Sequence, residues 1–106
     1  MRAFESLRRR GDFTRTTRRG RRHTGTFLTT FVADGRRRTR VGITVGSAVG
    51  GAVVRNRLRR RLKAILDRYP LAAPPWHDIV VIARPGAGEL AFAALADELG
   101  RALGPR

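Results

Sequence analysis

The chain contains no cysteine, one lysine, one methionine and few aromatics: five Phe, one Trp and one Tyr in 106 residues. Without cysteine there is no disulfide framework and no thiolate metal site, which fits a reducing compartment. Acid is also scarce. Eight Asp and Glu stand against 23 Lys and Arg, a formal net charge of +15. Long apolar runs are missing too. The longest aliphatic stretch, Ile79 to Ala83, is far short of the ~20 residues a membrane-spanning helix needs. The N-terminus lacks the apolar core of a signal peptide, so its paired arginines do not read as an export signal. Glu5 and Asp12, with a structured pattern close behind, count against an organelle transit peptide. Together these absences predict a cytoplasmic protein with no membrane partner.

What is present suffices for one compact core. Hydrophobic residues make up 42% of the chain, enough for a single domain over 1–106. A preference for Arg over Lys can reflect genome composition, but such bias does not produce the excess of positive charge. That excess repels itself in the folded state and calls for a polyanion. It is also uneven. Residues 1–69 hold 20 basic and four acidic side chains, a net of +16, whereas residues 70–106 hold three and four, a net of −1. The basic groups fall into clusters at Arg2 to Arg22, Arg36 to Arg40 and Arg55 to Arg68.

The pattern predicts a short helix from about Arg10 to Arg19, with Asp12 in its first turn and Gly20 ending it. "TFLTTFVA" alternates, with Phe27, Thr29 and Phe31 on one face, and Asp34-Gly35 opens a turn. "RVGITV" places Val41, Ile43 and Val45 on one face, so the two segments are expected to pair as an antiparallel hairpin. A Gly-rich turn then leads into a helix from Val53 to Tyr69, with Val54, Leu58, Leu62, Ile65 and Tyr69 as its apolar stripe and Pro70 as its stop. Pro74-Pro75 is expected to keep the next connection extended. "DIVVIA" reads as a strand buried on both faces. A last helix, about Glu89 to Leu103, would bury Phe92, Leu95, Ala96, Leu99 and Leu103. The resulting fold class is α/β (α+β), a two-layer sandwich of a small central sheet with helices, in the order α-β-β-α-β-α.

Arg55, Arg57, Arg59, Arg60, Arg61, Lys63 and Arg68 cover the polar side of the third-cluster helix, opposed only by Asp67. The i, i+4 pairs Arg55/Arg59, Arg57/Arg61 and Arg59/Lys63 each cost about 0.2–0.5 kcal/mol. Arg55 and Arg57 also oppose the helix dipole. Ordinary solvated helices mix signs, so this arrangement calls for an external anion. The planar fork of arginine suits phosphate, which points to nucleic acid. The preceding turn, Gly46-Ser47-Ala48-Val49-Gly50-Gly51, has a P-loop's glycine spacing, but Ala52 stands where the phosphate-binding lysine would be. That turn is either a close-approach site for a phosphate at a helix N-terminus or simply a tight strand-to-helix turn.

The run "RVGITVGSAVGGAVVRNRLRRRLKAI" resembles the signature region of the bacterial ribonuclease P protein component. In that family a glycine-containing strand and a short turn precede A-V-x-R-N-R and a basic helix. The likeness extends upstream through "LRRRGDFTRTTRRGRR" and downstream through "DIVVIARPGA" to the final amphipathic helix, nearly the whole chain. It implies a β-α-β unit with an unusual left-handed crossover, where the general rule is right-handed. It also implies that the protein binds a large catalytic RNA and helps it remove the 5′ leader of precursor tRNA. Hydrolysis is then the work of the RNA with Mg²⁺, and the protein, a monomer in isolation, holds no cofactor.

Carried over by position, Arg55, Asn56, Arg57, Arg59, Arg60, Arg61 and Lys63 would face the catalytic RNA. Phe13 and Phe31 match aromatic positions in a leader-binding cleft between the sheet and the first helix, with Arg9, Arg10 and Arg40 as phosphate neighbours. Core packing is the alternative for both rings, the more so for Phe31 because Phe27 shares its face. The chain departs from the family in two places. Ser47 and Ala48 stand where the turn commonly carries lysine, and Thr17 stands where a second aromatic often follows the Asp-Phe pair.

The chain alone carries no visible catalytic constellation. Its acids are scattered, His23 and His77 read as isolated surface or turn residues, and no nucleophile is set beside a base. The alternative functions are a ribosomal or other structural RNA-binding protein and a nonspecific DNA-binding module.

Overall fold

The computed structural model describes residues 3–104. Arg2, which opens the first basic cluster, lies outside the described residues. The elements in chain order are β1 (Glu5–Ser6), α1 (Arg10–Arg19), β2 (Arg21–Thr24), β3 (Leu28–Asp34), β4 (Arg40–Thr44), α2 (Ala52–Leu66), β5 (His77–Ala83), a 3-10 turn (Ala87–Glu89) and α3 (Phe92–Leu103). The strands form one five-stranded sheet in the order β1-β4-β5-β3-β2. The mixed α+β class stands as expected. The edge strands β1 and β2 extend the expected element order.

β5 occupies the centre because it is apolar on both faces. Ile79 and Val81 join the core under α2 and α3, and Val80 joins a second cluster under α1. β5 runs parallel to β4, with Val41 opposite Ile79, and antiparallel to β3, with Phe31 opposite Val80. β3 and β4 are therefore not a hairpin. β5 lies between them, and the loop joining them crosses its start, where the Gly35 N–H donates to the Trp76 carbonyl at 2.9 Å. The hairpin partner of β3 is β2, with Arg22 opposite Phe31.

Phe27 and Phe31 do not share a face. Phe27 precedes β3 and packs on the α2–α3 core, whereas Phe31 lies on the α1 side. The turn before β3 is held by Glu98 of α3. This carboxylate is 5% exposed and accepts the N–H groups of Phe27 at 2.8 Å and Leu28 at 3.3 Å.

α1 spans the residues expected of it despite three threonines. The hydroxyls of Thr16 and Thr17 donate to carbonyls one turn back, at Asp12 and Thr14, so no polar group is stranded where the helix meets the sheet. α2 buries Leu58, Leu62 and Ile65 as its stripe predicts, and Leu66 with them. It ends at Leu66, so Tyr69 is buried beyond the helix rather than within it. The connection that follows is turned and bent, with a cis Pro74-Pro75 bond, rather than extended. The final helix starts at Phe92, after the 3-10 turn, and its deepest residues are Leu95 and Leu99.

Candidate nucleic-acid interface

The sheet separates two cationic surfaces. On one side stands α2, whose apolar stripe fixes which cations turn outward. Asn56, Arg57 and Arg60 are exposed, while Arg55, Arg59, Arg61 and Lys63 are half-buried along its flanks. Three of the guanidinium groups reach carbonyls. Arg61 donates to the Leu90 carbonyl at 3.1 Å and Arg57 to that of Gly88 at 3.4 Å, both bracing the segment that leads into α3. On the other flank Arg59 reaches the Asn56 side chain at 3.4 Å and the Val45 carbonyl at 3.5 Å. The buried Arg55 Nε has no hydrogen-bond partner among the described residues.

None of the ion pairs among the described residues includes an α2 cation. The first turn of α2 has no acid and its Gly51 cap offers no side chain, so the helix dipole there is unanswered. Before it, the Gly46–Gly50 turn closes on itself, Val49 N–H to Gly46 O at 3.1 Å and Gly50 N–H to Ser47 O at 3.2 Å.

On the opposite side α1 lies across the sheet. The register sets Gly42, Val80, Phe31 and Arg22 in one row across β4, β5, β3 and β2. Phe13 of α1 packs against the cluster of Leu7, Phe31 and Val80. A Cβ at residue 42 would overlap the Phe13 ring, so glycine there is what lets the helix settle. Phe31 is only 9% exposed, and Arg22 lies over its ring, 5.8 Å from the centroid. Phe13 is half-buried. The two rings are thus brought together, with Phe31 serving as core and Phe13 forming part of the floor beside α1.

Arg40, in the next row opposite Asp78, is not a free cation. Its guanidinium meets Asp78 at 2.8 and 3.0 Å and Asp12 at 3.0 Å. Asp78, 2% exposed, also accepts from Arg15 of α1 at 2.9 Å. These bonds to Asp78 raise the Arg40 pKa above its ordinary value, against the opposing effect of burial. Arg40 therefore stays charged at any pH in ordinary use. The four-membered cluster fastens α1 to β4 and β5.

Arg9 is exposed and lines a basin of about 830 Å³ with Arg15, Arg36, Arg37, Arg38 and Arg40; Glu5 and Asp12 sit on its wall. Arg10 is exposed at the start of α1, outside that basin.

Sequence reasoning missed Arg22, Arg15 and Asp78. Asp78 did carry a signal, because an acid heading a strand apolar on both faces must meet a cation. The partners, 38 and 63 residues away, carried none.

No three His, Cys, Asp or Glu side chains come together as a metal site among the described residues. Asp12 and Asp78 are already engaged by arginine. His23 and His77 lie on different strands and out of register, since His23 aligns through Thr30 with Val81.

A family model described as Ribonuclease P matches residues 1–105. The chain is 44% identical over 101 residues to the ribonuclease P protein component of Acidothermus cellulolyticus, covering 92% of this chain and 84% of that protein. It is 41% identical over 107 residues to that of Streptomyces avermitilis, covering 92% and 87%. Among solved structures, the RNase P protein of Thermotoga maritima aligns with a TM-score of 0.78 at 29% identity, over 93% of this chain and 94% of that one. A Staphylococcus aureus RNase P protein gives a TM-score of 0.82 at 23% identity over 92% and 91%, a likeness of fold.

Proposed function

The chain belongs to the ribonuclease P protein component family, and from that premise we propose that its two cationic surfaces hold two different RNAs. α2 sits on the catalytic RNA subunit, and the α1 side of the sheet receives the single-stranded 5′ leader of precursor tRNA. The observation that carries this reading is α2, a helix whose outward cations have no acid to answer them among the described residues. Phosphates supply that answer. Each neutralised phosphate releases condensed counterions, so affinity falls with salt. Asn56, Arg57 and Arg60 approach the backbone directly, and Arg55, Arg59, Arg61 and Lys63 add positive potential along the flanks.

On the α1 side, Phe13 and the exposed Arg9 and Arg10 border the leader. Arg40 acts one step back, holding α1 in place through Asp12 and Asp78. Mg²⁺ carried by the RNA supplies the activated water for phosphodiester hydrolysis, and the protein's own residues bind and orient the substrate. The protein alone is inactive and works in the cytoplasm.

The test is reconstitution. Adding the protein to a bacterial ribonuclease P RNA should lower the Mg²⁺ and salt concentrations needed for precursor tRNA to be cleaved at its 5′ end. A protein that leaves both midpoints unmoved is a structural RNA binder instead. Turnover by rigorously RNA-free protein would overturn the assignment of the chemistry to RNA.

A further inference from the structure

We propose that in this chain the surface on which a leader base stacks is the guanidinium plane of Arg22, with Phe31 as its buried support. The proposal rests on the leader-binding reading above and assigns that contact to a residue outside it. Phe31 is 9% exposed and cannot offer a face to a base. Its accessible side is covered by Arg22, which the β2–β3 register sets directly opposite and whose guanidinium carbon lies 5.8 Å from the ring centroid.

Arg22 itself is exposed. Its Nε donates to the Thr24 hydroxyl at 3.1 Å, which restrains the plane. β2 is an edge strand, so no strand flanks Arg22 on its outer side, and the exposure of the side chain leaves its plane open to solvent. A guanidinium held over a ring on one side and open on the other is a sandwich with one layer missing. Unpaired bases stack on arginine planes as they do on aromatic rings, and the cation also meets the adjoining phosphate.

The neighbouring row begins at Thr24, whose exposed hydroxyl stands beside Arg22 as a neutral hydrogen-bonding partner.

The experiment uses the holoenzyme reconstituted with a bacterial ribonuclease P RNA. It reads the dissociation constants of precursor tRNA, of mature tRNA, and of precursor whose leader bases are replaced by abasic sites. Arg22→Ala should raise the dissociation constant of precursor tRNA about tenfold and leave mature tRNA unchanged, the size of one lost exposed stack. Arg22→Lys, which keeps the charge on the same edge strand but loses the plane, should recover only a small part of that loss. On the abasic leader, wild type and Arg22→Lys should bind alike.

Full recovery by Arg22→Lys would reduce Arg22 to a phosphate contact and overturn the stacking proposal. So would an Arg22→Ala variant that binds precursor normally while Phe13→Ala weakens it, a result that leaves the leader reading intact. If neither substitution separates precursor from mature tRNA, the leader reading falls and this proposal with it.

Discussion

Arginine does opposite things on the two sides of the sheet. Beside α1, Arg15 and Arg40 are enclosed with Asp12 and Asp78, and the charges cancel within the fold. On α2, Arg55, Arg57, Arg59, Arg60 and Arg61 meet carbonyls or solvent, and no carboxylate pairs with them among the described residues. The same side chain is internal fastening in one region and an outward charge in the other. The difference lies in the acids, since Asp12 and Asp78 stand beside α1 and none of the ion pairs found among the described residues reaches an α2 cation. Net charge therefore says that a polyanion is wanted, and only the pairing says where.

The comparison breaks most decisively at Asp78. Asp78→Asn leaves Arg40 and Arg15 facing a group that no longer neutralises them, and should lower unfolding stability by about 3 kcal/mol. Urea denaturation reads this directly. An unchanged midpoint would mean that the α1 side is no more self-contained than α2.

A smaller effect is expected at Arg61, which belongs partly to each class. Arg61→Ala loses the bond to the Leu90 carbonyl and should cost about 1 kcal/mol of stability together with some affinity for the RNA subunit. The smallest structural effect is expected at Arg60. Arg60→Ala should change stability by less than about 0.5 kcal/mol, while the slope of log affinity against log salt falls by about one unit. If Arg60→Ala unfolds the protein, or leaves the slope untouched, α2 is not the outward surface.

Much of this was legible in the sequence. The Leu58, Leu62 and Ile65 periodicity located α2, and the Arg-Asn-Arg run within it marked the candidate RNA surface. The apolar run from Ile79 to Ala83 identified a strand with both faces covered. The same run held the correction to the hairpin, because a strand buried on both faces belongs at the centre and separates β3 from β4.

What stayed hidden was non-local. β2, "RRHT", has no apolar alternation because an edge strand needs little. β1 is two residues long and exposed. The bonds from Arg15 to Asp78 and from Phe27 to Glu98 span 63 and 71 residues, and no spacing rule reaches across such distances. Phe31 looked like either a core residue or a stacking platform. Its cover, Arg22, became visible only once the β2–β3 register was fixed.

The central position of β5 also has a consequence in time. β3 and β4 are synthesised well before the strand that joins them, so while the segment between β4 and β5 is being made the sheet has flanks and no middle. Completing it requires pairings across tens of residues, which close slowly. Until then the strongly basic part of the chain is exposed in a cell rich in RNA. A chain cut after Pro75 should show by circular dichroism little sheet beyond a β2–β3 hairpin. A native-like sheet signal from it would mean that β3 and β4 can meet without β5. The last third of the protein, nearly neutral in charge, is what turns the charged two-thirds into a surface.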